Sequence, residues 1–172
     1  DLEPISLAFE AAATGPLVFP TLHPQSATKT VDRIIDVFPA DAQEQVRSSL
    51  SESLKGVMSQ ALFKRLDTNG RVAALEIMVG TPAVANLIRE GKTHLLGNML
   101  QTGKKIGMRT MDDAIEDLLT KNLIAPEEAF EASVHKQNFV KYLKEVPEEW
   151  AEYLSKSDSQ SSSESKPLQT SR

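Results

Sequence analysis

Apolar residues recur every three or four positions through most of this chain, and the breaks between such stretches carry proline, glycine or asparagine. Residues 1 to about 13 read as a helix, with Asp1 and Glu3 near its N-terminus and Thr14-Gly15 ending it. Ser26 is placed to cap a second helix whose apolar positions Ala27, Val31, Ile34, Ile35 and Phe38 fall on one face; Pro39 stops it. Asp41 with Glu44 has the spacing of a capping box. It predicts a long helix in which Val46, Leu50, Leu54, Val57, Met58, Ala61 and Leu62 form one apolar face over more than four turns.

The text from Phe63 to Val79 then reads as a hairpin around a turn containing Asn69-Gly70. Thr81-Pro82 supplies an N-cap and a first-turn proline for a helix with Val84, Leu87 and Ile88 inward. Gly91 ends or loosens that helix before helical periodicity resumes from Lys92 to Gly103. Thr110 with Asp113 opens another helix bearing Met111, Ile115, Leu118 and Leu119, with Asn122 as a left-handed stop, and Pro126 starts a short one. From Phe139 to Leu154 the pattern is amphipathic and acidic, with Trp150 and Tyr153 available for docking. Ser155 to Arg172 is serine-rich without apolar periodicity and is expected to be disordered.

One stretch resists this scheme. Leu17, Val18 and Phe19, continued by Thr21, Leu22 and His23, have the residue types of a buried strand, yet Pro16, Pro20 and Pro24 cut across them. Proline gives no N–H to a ladder, so it belongs at strand starts, edges or bulges.

At 172 residues the chain fits one domain, or a domain with a tail, and can bury about two-thirds of its unfolded surface. The absence of cysteine excludes disulfides and thiolate metal sites. A formal net charge of -5 disfavours a mainly electrostatic nucleic-acid binder, and no apolar run approaches the roughly 18 residues of a membrane span. His94 and His135 lack ligand-spaced partners, so no metal site is expected. Ser49, Ser51 and Ser53 have no nearby histidine to activate them. Gly91-Lys92-Thr93 matches the end of a P-loop, but Asn86 stands where the first glycine belongs and the motif follows a helix instead of a strand. A helix stop is the better reading of that glycine.

Several long blocks together carry a resemblance. "DLEPISLAFEAAATG", "SATKTVDRIIDVFPADAQEQVRSSLSESL", "GRVAALEIMVGTPAVANLIREGK" and "QTGKKIGMRTMDDAIEDLL" resemble the C-terminal part of the type IV pilus retraction ATPases, in the secretion ATPase superfamily. The match runs from Asp1 to about Ala132. It implies an α/β fold: the back half of a RecA-like ATPase domain over residues 1–80, then a mostly helical C-terminal region over 81–154. Asp1 would end the Walker B segment, placing the Walker A loop and the catalytic glutamate upstream. ATP and Mg would then be bound by the full-length parent and poorly, if at all, by these residues alone.

The resemblance also interprets the proline-marked stretch. Thr14, Gly15, Leu17, Val18, Phe19, Thr21, Leu22 and His23 match the family's histidine box, with Pro16, Pro20 and Pro24 replacing a histidine, a glycine and a threonine. The resemblance implies that Thr21 and His23 face nucleotide, His23 sensing or polarising the terminal phosphate. A second marker, Ala83, Asn86, Leu87, Ile88, Arg89 and Glu90, matches the family's retraction motif, with Val84 a conservative replacement and Ala85 in place of its first arginine.

By this resemblance the parent is a hexameric ring motor that couples ATP hydrolysis to pilus disassembly. It would sit in the cytoplasm, peripheral to the inner membrane and its pilus machinery. The isolated chain is expected not to be catalytic. The competing expectation is a non-enzymatic interaction module, related to secretion or pilus-assembly ATPases, which the prolines, the lost arginine and the serine-rich tail favour.

Overall fold

The computed structural model describes residues 2–148 and 150. Seven α-helices and one antiparallel hairpin account for most of them: α1 (Leu2–Ala13), α2 (Ala27–Asp36), α3 (Gln43–Ser53), β1 (Gly56–Lys64), β2 (Arg71–Val79), α4 (Pro82–Arg89), α5 (Leu96–Thr102), α6 (Met111–Thr120) and α7 (Pro126–Ala132). This is the mixed α/β composition expected of a partial RecA-like domain.

Local chemistry sets most helix boundaries. The side chains of Ser26, Thr81 and Thr110 accept from the backbone N–H groups of Lys29, Val84 and Asp113 at 3.2, 3.3 and 3.1 Å, each satisfying a donor that the first turn leaves free. Helices α4 and α6 end alike. Gly91 (φ +69°) and Asn122 (φ +54°) take the left-handed conformation, and Lys92 and Leu123 donate back to Leu87 and Leu118 at 2.8 and 3.0 Å. Those are Schellman closures, one through glycine and one through asparagine.

The long helix predicted from Asp41 to Leu62 does not form. Helix α3 starts after Ala42, with no side-chain cap from Asp41, and ends at Ser53; Gly56–Lys64 is a strand. The error has a physical source. On β1 the outward residues Met58 and Leu62 are 73% and 53% exposed, while Ser59 and Phe63 point into the core. Four-residue spacing of Leu54, Met58 and Leu62 therefore imitates a helical face although the burial period is two.

The hairpin is thus longer than predicted and pairs Gly56 with Val79 through Lys64 with Arg71. Its connection spans six residues, closed by Arg65 N–H donating to the Gly70 carbonyl at 3.0 Å. The free edge of β2 is met by Arg109, which exchanges two 2.9 Å backbone bonds with Ile77.

Leu17 to Leu22 is not a strand either. Residues 16–24 have no regular secondary structure, and the one sheet among the described residues contains only β1 and β2. A strand exists only with a partner, and none of the described residues supplies one. Leu17 and Phe19 are 66% and 82% exposed. The chain leading into the amphipathic, acidic stretch forms short 3₁₀ turns at Lys136–Asn138 and Val140–Tyr142. Phe139 and Val140 are buried and Trp150 stands edge-on to Phe130, 5.7 Å between centroids. Tyr153, Leu154 and the serine-rich tail lie outside the described residues.

Two apolar clusters form the core. One gathers Val31, Ile35, Leu50, Met78, Val84 and Ile88 from α2, α3, β2 and α4, with Ile5 and Phe9 of α1 packed against it. The other gathers Phe63, Ala74, Ile115, Leu119, Phe130 and Phe139 around α6 and α7. The inner face of β2 contributes to both, through Met78 and Ala74, and Glu76 lies between these two positions.

Candidate functional site

The segment carrying Thr21 and His23 descends from α1 through Gly15 (φ +109°) and ends at the cap of α2. Thr21 and His23 are exposed, while Leu22 between them is half-buried against the first core cluster. That single apolar anchor holds the segment's course and leaves both polar side chains outward. Neither Thr21 nor His23 makes a hydrogen bond or ion pair with any described residue. Both are free to meet a ligand or another part of a larger assembly.

Helix α4 presents the second candidate group. Val84 and Ile88 are fully buried, each contributing about 1.5–3 kcal/mol by leaving water, and α4 packs closely on α3. Ala83, Asn86, Arg89 and Glu90 are exposed, and Ala85 and Leu87 are half-buried. The polar residues are not equivalent. Asn86 donates to Glu90 at 2.9 Å, and Lys92 pairs with Glu90 at 2.8 Å. The Lys92 ammonium, then the Asn86 amide, hold the Glu90 carboxyl below the usual glutamate range. Arg89 forms no hydrogen bond or ion pair among the described residues. It is the outward-facing charge of α4, with only a Coulombic attraction to neighbouring Glu90.

The start of α4 is fixed from behind by Gly80. Its N–H donates to Lys55 at 2.8 Å, and a Cβ there would stand 2.1 Å from the Leu54 carbonyl oxygen. Only glycine allows β2 and the end of α3 to pass this closely.

Gly91-Lys92-Thr93 forms no phosphate cradle. The N–H groups of Gly91 and Lys92 are spent on Ile88 and Leu87 in the α4 closure. No cluster of three or more His, Cys, Asp or Glu able to hold a metal ion occurs among the described residues. His135 instead bonds Asp112 through Nδ1 at 2.7 Å, and Asp112 also accepts from the N–H groups of Val134 and His135. These residues therefore do not fit a magnesium–nucleotide site by themselves.

Sequence reasoning missed Glu76. It is buried on β2, and its carboxylate accepts from Ala27 N–H at 2.6 Å and from Met111 N–H at 3.2 Å. Those amides open α2 and α6. The signal was present: a lone acidic residue within "RVAALEIMV", in phase with inward Ala74 and Met78.

The chain is similar to known proteins in sequence and in fold. The profile of a type II/IV secretion system protein family matches residues 1–108. A twitching motility protein of Neisseria gonorrhoeae is 57% identical over 129 residues, covering 75% of this chain and 34% of the relative. The type IV pilus retraction ATPase PilT of Pseudomonas aeruginosa is 53% identical over 139 residues, 81% of this chain and 40% of the relative. The chain thus spans between a third and two-fifths of these relatives. Among solved structures, a crystal structure of the pilus retraction motor PilT with bound ADP superposes with a TM-score of 0.72 at 40% identity, over 80% of this chain and 38% of that one. Among the described residues, no helix is long and apolar enough to cross a membrane.

Proposed function

This chain belongs to the type II/IV secretion system protein family, and we propose that it is the C-terminal part of an ATP-driven motor subunit that powers pilus retraction. The observation that carries the reading is the identity of 57% and 53% to a twitching motility protein and a pilus retraction ATPase, sustained over three-quarters or more of the chain. In this reading the subunits form a ring at the cytoplasmic face of the inner membrane, where they engage the pilus machinery. Thr21 and His23 face nucleotide held mainly by residues outside these 172. An imidazole N–H there can donate to a phosphate oxygen. Helix α4 passes the resulting motion on, with Arg89 as its contact to a neighbour. Residues 1–80 serve as the nucleotide-side unit and 81–154 as the transmitting one.

The test is a chimera. The 139 aligned residues of the P. aeruginosa retraction ATPase are replaced by those of this chain, and ATP turnover and pilus retraction are measured. The reading expects both to be retained, with His23→Ala lowering turnover and Arg89→Ala lowering retraction at unchanged turnover. A folded, ring-forming chimera without turnover would defeat it. That outcome would support a second reading, a non-catalytic interaction module. The specific observation favouring that alternative is the exposed stretch in which Pro16, Pro20 and Pro24 each lack the N–H a central strand would use.

A further inference from the structure

Glu76 occupies a position where an apolar side chain would be the simpler choice. It is only 5% exposed, on the inner face of β2, with Ala74 and Met78 of the two core clusters on either side. No cation pairs with it among the described residues, and burying an uncompensated carboxylate is costly. Its compensation comes from backbone. Ala27 and Met111 are the first residues of α2 and α6, and their N–H groups donate to the two different oxygens, Oε1 and Oε2. Each helix N-terminus carries about half a positive elementary charge, so two of them together balance one carboxylate.

The three elements joined at this carboxylate lead to different places. Helix α2 starts four residues after His23, with Leu22 and Ser26 fixing the path between them. Strand β2 runs from Glu76 through Gly80 into Thr81, the cap of α4. Helix α6 carries the second core cluster. Shifting either helix start by one residue would break a bond to the same side chain.

We infer that Glu76 is a positioning residue that couples the start of α2, and with it the His23 segment, to the start of α6 and to the strand feeding α4. The coupling is a property of this chain; its value for force transmission rests on the motor reading above.

The experiment uses the 172-residue chain and amide hydrogen exchange, with no nucleotide, so its outcome is independent of whether the parent is a motor. Thr110→Ala removes the α6 cap. With Glu76 present, this change is expected to speed exchange about fivefold at residues 26–30 as well as at 110–114. In a Glu76→Gln background, where one oxygen acceptor is lost, Thr110→Ala is expected to affect 110–114 alone. Amides 46–53 of α3 serve as the control for global unfolding. Equal spread of the effect in both backgrounds, or none in either, overturns the inference. Should Glu76→Gln not fold, the reciprocal change decides: Ser26→Ala with Glu76 intact must speed exchange at 111–114 and spare 127–132, and failure to do so overturns it equally.

Discussion

Ser59 and Glu76 face each other directly across the hairpin, both buried, yet no hydrogen bond joins them. The Glu76 carboxylate is engaged by two backbone amides, and the Ser59 hydroxyl has no partner among the described residues. An unsatisfied buried hydroxyl is a net cost, so Ser59→Ala is expected to leave stability unchanged or raise it by up to about 1 kcal/mol. Urea denaturation of the pair of proteins measures this. A loss beyond about 1 kcal/mol would show that the hydroxyl does have a partner.

Gly80→Ala is expected to be among the most damaging single-methyl additions in the chain. The new carbon would stand 2.1 Å from the Leu54 carbonyl oxygen, and the obstacle is backbone that cannot rotate away. A destabilisation of about 2–4 kcal/mol follows, seen as a lowered Tm. Gly97→Ala is the control, since a Cβ there meets nothing within 4 Å.

Two neighbours on α4 separate folding from function. Ile88 is fully buried, so Ile88→Ala is expected to cost about 2–5 kcal/mol in the isolated chain. Arg89 is exposed and makes no hydrogen bond or ion pair among the described residues, so Arg89→Ala is expected to change stability by no more than about 0.5 kcal/mol. In the chimera the same Arg89→Ala is expected to reduce retraction at unchanged ATP turnover. Chemical denaturation and a retraction assay on one pair of variants check both halves.

The acid limb of the stability curve has an identifiable contributor. The Tyr142 hydroxyl donates to Glu116 at 2.7 Å and Lys141 pairs with it at 3.2 Å, and they hold the Glu116 carboxyl below its ordinary value. A depressed folded-state pKa gives stability that is present above the unfolded value, about 4.3, and is lost as pH falls through the folded one. Glu116 is 41% exposed, so solvent screening limits the effect to about 0.5 kcal/mol or less. Tyr142→Phe is therefore expected to narrow the stability difference between pH 6 and pH 3 by about that amount, with any loss of packing appearing equally at both. Equilibrium unfolding at the two pH values tests it.

What the sequence made legible was decided within a turn of the helix. Ser26, Thr81-Pro82, Thr110, Gly91 and Asn122 act on backbone groups one to five residues away, and each sits where its chemistry predicts. The misreadings depended on something distant. Leu17 to Leu22 has strand residues, but whether they form a strand is a question about a partner. Leu54, Met58 and Leu62 matched a helix by their spacing, but Met58 and Leu62 point outward from β1, and the inward face carries Ser59 and Phe63. Phe139 and Val140 are buried as an apolar face predicts, although the backbone bearing them is made of separate turns. Glu76 left one local sign, an acidic residue in phase with Ala74 and Met78, but its role was not legible because its partners, Ala27 and Met111, are 49 and 35 residues away. The His23 and α4 assignments came from the resemblance of whole blocks, since nothing in their local spacing distinguishes them.

The prolines of the exposed stretch have a consequence for how this chain behaves in a crowded solution. Greasy, unpaired backbone such as Leu17 to Leu22 is what a passing strand would recruit into a growing cross-β stack. With a donor missing at Pro16, Pro20 and Pro24, a recruited strand would find gaps in its ladder at every fourth residue. Restoring the middle donor with Pro20→Thr is expected to raise thioflavin-T-positive aggregation on prolonged incubation. The residues that look out of place in a core strand keep Phe19 solvent-exposed without making it a seed.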